Sequence, residues 1–119
     1  ATGHGLPVPS GEGAHAAHLV MEGGAATLPA LIASTDRGVL ITRAWYTNFV
    51  DFKRALITGM TRDGTFLIED GKVTRALRDL RFNVSLFELL GRIEALGPQG
   101  RHAGVVAPAM RVRGFRFTS

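Results

Sequence analysis

The residues of this chain that could hold a metal or move a proton are few, and their spacing suits neither task. Its imidazoles are His4, His15, His18 and His102, and only His15 and His18 are close in sequence. Three-residue spacing puts two histidines on one face of a helix, but the glycine and proline around this pair oppose a helix, and no glutamate stands between them as in a zincin. They read as solvated or partner-facing side chains. Cysteine is absent, which removes disulfides, thiolate zinc sites and a thiol nucleophile. None of Ser10, Ser34, Ser85 and Ser119 lies in a Gly-x-Ser-x-Gly elbow. The acid pairs Glu69 with Asp70 and Glu12 with Glu22 would serve as general acid and base only if a cleft joined them, and Asp70 reads as a turn residue. Gly3-His4-Gly5 and Gly11-Glu12-Gly13 lack the strand-to-helix context and the lysine of a phosphate loop. No catalytic, cofactor-binding or metal-ligating residue is assigned from these patterns.

Arg111, Arg113 and Arg116, interleaved with Phe115 and Phe117, are the one feature with nucleic-acid character, because alternating basic and aromatic residues contact phosphates and stack on bases. A strand with one buried and one charged face gives the same alternation, and that is the favoured reading. The net charge of +4 is otherwise spread through the chain. Trp45 and Tyr46 read first as core or interface packing.

The elements that must position these residues are mostly strands. At 119 residues and 45% apolar content the chain suits one domain with a modest core. It has no initiator methionine and no signal-like start, so it is expected to begin inside a longer protein, and its apolar runs fall far short of the ~20 residues that span a bilayer. A soluble, cytoplasmic protein is expected. Residues 1–17 form an irregular Gly/Pro-rich arm, and residues 18–119 the β-rich domain. A short strand is expected at 18–22, then a helix over 28–34 capped by Thr27 with Pro29 in its first turn. Residues 39–47 are dense in β-branched and aromatic side chains and predict a strand, with Val39, Ile41 and Trp45 on one face and both faces partly covered. Two further strands are expected at 54–60 and 65–69, separated by a Thr61-Arg62-Asp63-Gly64 turn. Asp70-Gly71 predicts a two-residue type I′ hairpin. Ser85 and Glu88 match a capping box opening a helix through Leu89, Leu90, Ile93 and Leu96 to a Gly97-Pro98 stop. Gly114 is expected to bulge the last strand, turning Phe115 and Phe117 inward and leaving the three arginines together outside. The fold class is therefore mainly β with two short helices (α+β), an antiparallel meander that is curved, barrel-like or a sandwich, whose open edges favour oligomerisation.

Several ordered segments resemble the TldD/PmbA family, also described as modulators of DNA gyrase. They are Ala-Thr-Gly-His-Gly-Leu-Pro at 1–7, Arg-Gly-Val-Leu-Ile-Thr-Arg-Ala-Trp-Tyr-Thr at 37–47, residues 56–71 with their Thr-Arg-Asp-Gly and Ile-Glu-Asp-Gly motifs, Leu-Arg-Phe-Asn-Val-Ser at 80–85, and Met-Arg-Val-Arg-Gly-Phe at 110–115. The resemblance implies the C-terminal domain of a two-domain protein. Its catalytic members carry a His-Glu-x-x-x-His zinc helix upstream and a further cysteine ligand in the C-terminal domain. Neither is present here, so the chain is more similar to the non-catalytic members, which pair with catalytic subunits around a chamber for unfolded peptides. Zinc is expected only in catalytic members, and no cofactor in this chain. The implied partners are the N-terminal domain of the same protein, a homo- or heterodimeric TldD/PmbA-like subunit, and extended peptides bound as added strands. Neither a membrane nor, on balance, nucleic acid is expected as a partner; a basic β-module using Arg111, Arg113 and Arg116 is the alternative.

Overall fold

The computed structural model describes residues 5, 11, 13, 14, 16 and 18–118, without the His102 side chain. Most of the expected arm therefore lies outside the described residues. The chain order is β1 (Leu19–Val20), α1 (Leu28–Ala33), β2 (Arg37–Asp51), β3 (Leu56–Glu69), β4 (Lys72–Ala76), β5 (Arg81–Ser85), α2 (Leu86–Gly91), β6 (Ile93–His102), β7 (Val105–Val112) and β8 (Phe117–Thr118). The strands form two open sheets, ordered β1-β7-β6 and β2-β3-β5-β8, with β4 also paired to β3. The fold is mostly β with two short helices, as the composition implied, and the sheets do not close into a barrel. Pairing is antiparallel except that β1 runs parallel to β7, with Leu19 opposite Val105.

The β2–β3 ribbon is the backbone of the larger sheet. The Asp63-Gly64 pair expected to end one strand and begin another instead sits inside β3, where both residues lie opposite Thr42 as a bulge. Asp63 has φ 63° and Gly64 φ 153°, so the positive-φ tolerance that suits Asp-Gly to a turn serves here to kink a continuous strand. Thr42 Oγ1 donates to the Gly64 carbonyl at 3.1 Å, and Arg43 pairs with Asp63 at 2.8 Å, which pins the register on both sides of the bulge. The first half of β3 pairs with β5 and the second with β4, so one strand borders two others along the same edge. The Asp70-Gly71 hairpin forms as expected, with φ 49° and 72° and Glu69 opposite Lys72.

Helix α1 joins the two sheets. The Thr27 side chain accepts from Ala30 N, and Pro29 lies in the first turn, as the sequence required. Its buried Leu31 faces Gly97 of β6, while Asp70 N and Gly71 N donate to the carbonyls of Asp36 and Thr35 just beyond the helix.

The second helix departs from expectation. α2 ends at Gly91, and Ile93 and Leu96 belong to β6, paired with Val112 and Met110. Gly97-Pro98 lies in a register shift of that strand and stops no helix. Ser85 occupies the N-cap position without a side-chain cap bond, because its hydroxyl donates to the Arg54 carbonyl at 2.9 Å, and Glu88 pairs with Arg92. Gly114, with φ 65°, turns the chain from β7 in one sheet to β8 in the other, so it forms a crossover and not a bulge in a single strand.

The core consists of Leu31, Leu67, Ile68, Phe82 and Val84, with Thr61 and Thr65 buried beside them. Thr61 is 1% exposed, and its hydroxyl oxygen accepts from Leu80 N at 2.9 Å and from Thr65 Oγ1 at 2.7 Å. Replacing Thr61 with Val strips the acceptor from a part-buried N–H, and denaturant unfolding should show a loss of about 1–3 kcal/mol. A midpoint within experimental error of the parent would show that this pairing contributes nothing.

Candidate functional site

The far end of the β2–β3 ribbon departs from regular pairing twice. Tyr46 and Thr47 face the single residue Gly59, and Val50 is extra between the Phe49–Ile57 and Asp51–Leu56 pairs. Each insertion rotates the following side chains, so the alternation that would bury one face is lost. Tyr46, at φ 54°, is 75% exposed, and Phe52, in the connection, is 80% exposed. Phe49 stacks on Phe52 with ring centroids 4.8 Å apart, and Val50 is also exposed. The connection is held by Asp51 Oδ1, which accepts from Lys53 N at 2.9 Å and Arg54 N at 3.2 Å, a local turn typical of aspartate. Apolar side chains are thus exposed together at this end of the ribbon.

Trp45 borders this cluster. Its ring lies beneath two guanidiniums, Arg43 at 4.5 Å and Arg62 at 5.0 Å from the centroid, and Asp63 pairs with both arginines at 2.8 and 3.7 Å. The sequence placed Trp45 and Tyr46 in a core or an interface; both are exposed, which rules out the core. Along its whole length β2 forms the end of its sheet, and among the described residues no strand pairs with its outer edge.

The remaining candidates are scattered. His18 is exposed, His4 and His15 lie outside the described residues, and His102 contributes backbone to the end of β6. Among the described residues no group of three or more His, Cys, Asp and Glu side chains is placed to hold a metal ion. Of the acid pairs, Glu12 lies outside the described residues; Glu69 accepts from Thr74 Oγ1, and Asp70 is a turn residue. Of the arginine row, Arg111 and Arg113 share a side and meet at Glu94, while Arg116 lies apart from them beyond the strand. Arg111 Nε lies 3.2 Å from Glu94 and its Nη1 donates to the Ser34 carbonyl, Arg113 lies 2.5 Å from the same Glu94, and Arg116 is in the link to β8. The exposed Phe49, Val50 and Phe52 were absent from the sequence-derived candidates. Their signal was the lost alternation through Asn-Phe-Val-Asp-Phe at 48–52.

Two open sheets joined by a short helix, with a long β2–β3 ribbon that no other described strand flanks on its outer edge, define a β-rich domain with two short helices. The chain matches the PmbA/TldA metallopeptidase C-terminal domain over residues 1–119 and belongs to that family. It is similar in structure to TldE from Thermococcus kodakarensis, with a TM-score of 0.77 and 21% identity, over 99% of this chain and 28% of that one. It is also similar to a putative modulator of a DNA gyrase from Thermotoga maritima, with a TM-score of 0.75 and 20% identity, over 93% of this chain and 25% of that one. At these identities the likeness is one of fold, and the chain spans about a quarter of the length of both structures. No curated protein matches the chain in sequence. Among the described residues no helix is long and apolar enough to cross a membrane.

Proposed function

We propose that this domain is a non-catalytic part of a TldD/PmbA-like protein that serves peptide binding and subunit assembly in the proteolysis of unfolded peptides. The observation that carries the reading is the β2–β3 ribbon, whose 15-residue strand β2 has no strand on its outer edge among the described residues and ends in exposed Tyr46, Phe49, Val50 and Phe52. An open edge offers main-chain donors and acceptors to an extended peptide with little demand on its sequence, and an aromatic cluster is the usual anchor of a protein interface.

In the intact protein, Phe49→Ser combined with Phe52→Ser should lower the sedimentation coefficient from that of an oligomer to that of a monomer at micromolar concentration, with an unchanged circular dichroism spectrum because both side chains are exposed. An unaltered sedimentation profile would defeat the assembly reading. The nucleic-acid alternative gains no support from the geometry, because Glu94 engages two of its three arginines.

A further inference from the structure

A cleft of about 400 Å³ opens where the first half of β3, β5 and α2 meet the β7–β8 crossover, and its basic lining comes from three segments far apart in sequence, around residue 54, residue 92 and residues 113–116. Arg54 enters from the β2–β3 connection, Arg92 from the end of α2, Arg113 from the crossover turn and Arg116 from the link to β8. Among the described residues Glu88 is the only carboxylate residue in the lining. Two of the guanidiniums are compensated, Arg92 by Glu88 at 3.2 Å and Arg113 by Glu94 at 2.5 Å. Among the described residues Arg54 and Arg116 have no carboxylate within salt-bridge distance. A charged solvent face of one strand would place like charges on alternate residues of that strand. Convergence from three separate segments does not follow from such a pattern, and gathering positive charge in a concave site focuses its field on whatever anion enters.

The walls are tied together by the main chain. Ser85 Oγ donates to the Arg54 carbonyl, Leu86 N to the Ala55 carbonyl at 2.9 Å, and Arg113 N to the Arg92 carbonyl at 3.0 Å, so the segments bearing the arginines are held in register. Guanidinium forks match the oxygen geometry of phosphate. The volume exceeds that of a bare phosphate ion and falls in the range of small-ligand sites, while Phe115 and Leu89 supply an apolar wall for a carbon skeleton.

We propose that this cleft binds a small phosphomonoester, its phosphate taken by Arg54 and Arg116 and its organic part lying against Phe115. The test is isothermal titration of the intact protein with ribose 5-phosphate, inorganic phosphate and ribose at constant ionic strength. Ribose 5-phosphate should bind more tightly than inorganic phosphate, and ribose should not bind. Arg54→Gln with Arg116→Gln should weaken ribose 5-phosphate binding by about tenfold or more, whereas Arg75→Gln with Arg78→Gln, which changes two exposed arginines outside the cleft, should leave it unchanged. Absence of binding up to about 20 mM ribose 5-phosphate, binding no tighter than that of inorganic phosphate, or equal weakening by both variant pairs would each overturn the assignment.

Discussion

Phe82→Ala is expected to destabilise the domain by about 3–5 kcal/mol, the usual range for deleting a buried phenylalanine ring. Phe82 is 3% exposed and lies opposite Gly59 in the β3–β5 pairing. Its ring covers that glycine so closely that a Cβ on Gly59 would stand 2.5 Å from the ring. The ring also meets Phe115 edge-on at 5.4 Å, and Phe115 in turn packs on Phe117 at 4.9 Å. Removing it therefore uncovers a glycine backbone in mid-sheet and withdraws support from the segment that crosses between sheets. Because among the described residues β8 pairs with β5 through only Arg81–Thr118 and Phe82–Phe117, that short strand should detach first. Urea unfolding monitored by circular dichroism gives the magnitude, and amide exchange at Phe117 and Thr118 gives the order of loss. A destabilisation below about 1 kcal/mol would mean that neighbouring side chains collapse into the space and that Phe82 is not a keystone of the sheet.

The parts of this fold that the sequence reveals are those in which a local rule and the tertiary structure agree. Thr27 with Pro29 and the Asp70-Gly71 hairpin depend on backbone geometry within a few residues, and both form as read. The family is legible for a related reason, since the ordered segments that carry the resemblance span most of the chain. Failure follows wherever one signal serves two structures. Asp63-Gly64 tolerates positive φ equally in a turn and in a bulge, and only the pairing of β2 along all of β3 selects the bulge. Leu89, Leu90, Ile93 and Leu96 are spaced for a helix, yet Ile93 and Leu96 find partners on β7, which a helix would leave without its antiparallel neighbour. Ser85 could cap α2 but bonds instead to Arg54, a residue 31 positions earlier that local spacing does not bring into view. The aromatic end of the ribbon was missed by the same logic. Two insertions in β2 reorient its side chains, and an insertion is defined only against a partner strand.

Gly71→Val tests the hairpin and its docking together, and is expected to cost about 3 kcal/mol or more. Two effects add. At φ 72° a β-branched residue is strained by the left-handed backbone conformation that type I′ turns require. A Cβ at this position would also stand 2.5 Å from the Ala33 carbonyl oxygen, which belongs to the end of α1 and not to a side chain that could swing aside. Helix and hairpin must then separate, which weakens the bonds from Asp70 N to Asp36 O at 2.7 Å and from Gly71 N to Thr35 O at 3.0 Å. Asparagine tolerates the left-handed region, so Gly71→Asn isolates the second effect, with an expected loss of about 1–2 kcal/mol. Gly114→Asn supplies the contrast: φ is 65° there, but nothing lies within 4 Å of an added Cβ, so its melting temperature should stay close to the parent's. If Gly71→Asn proved as neutral as Gly114→Asn, the hairpin would need only its backbone conformation, and contact with α1 would not be what joins the two sheets.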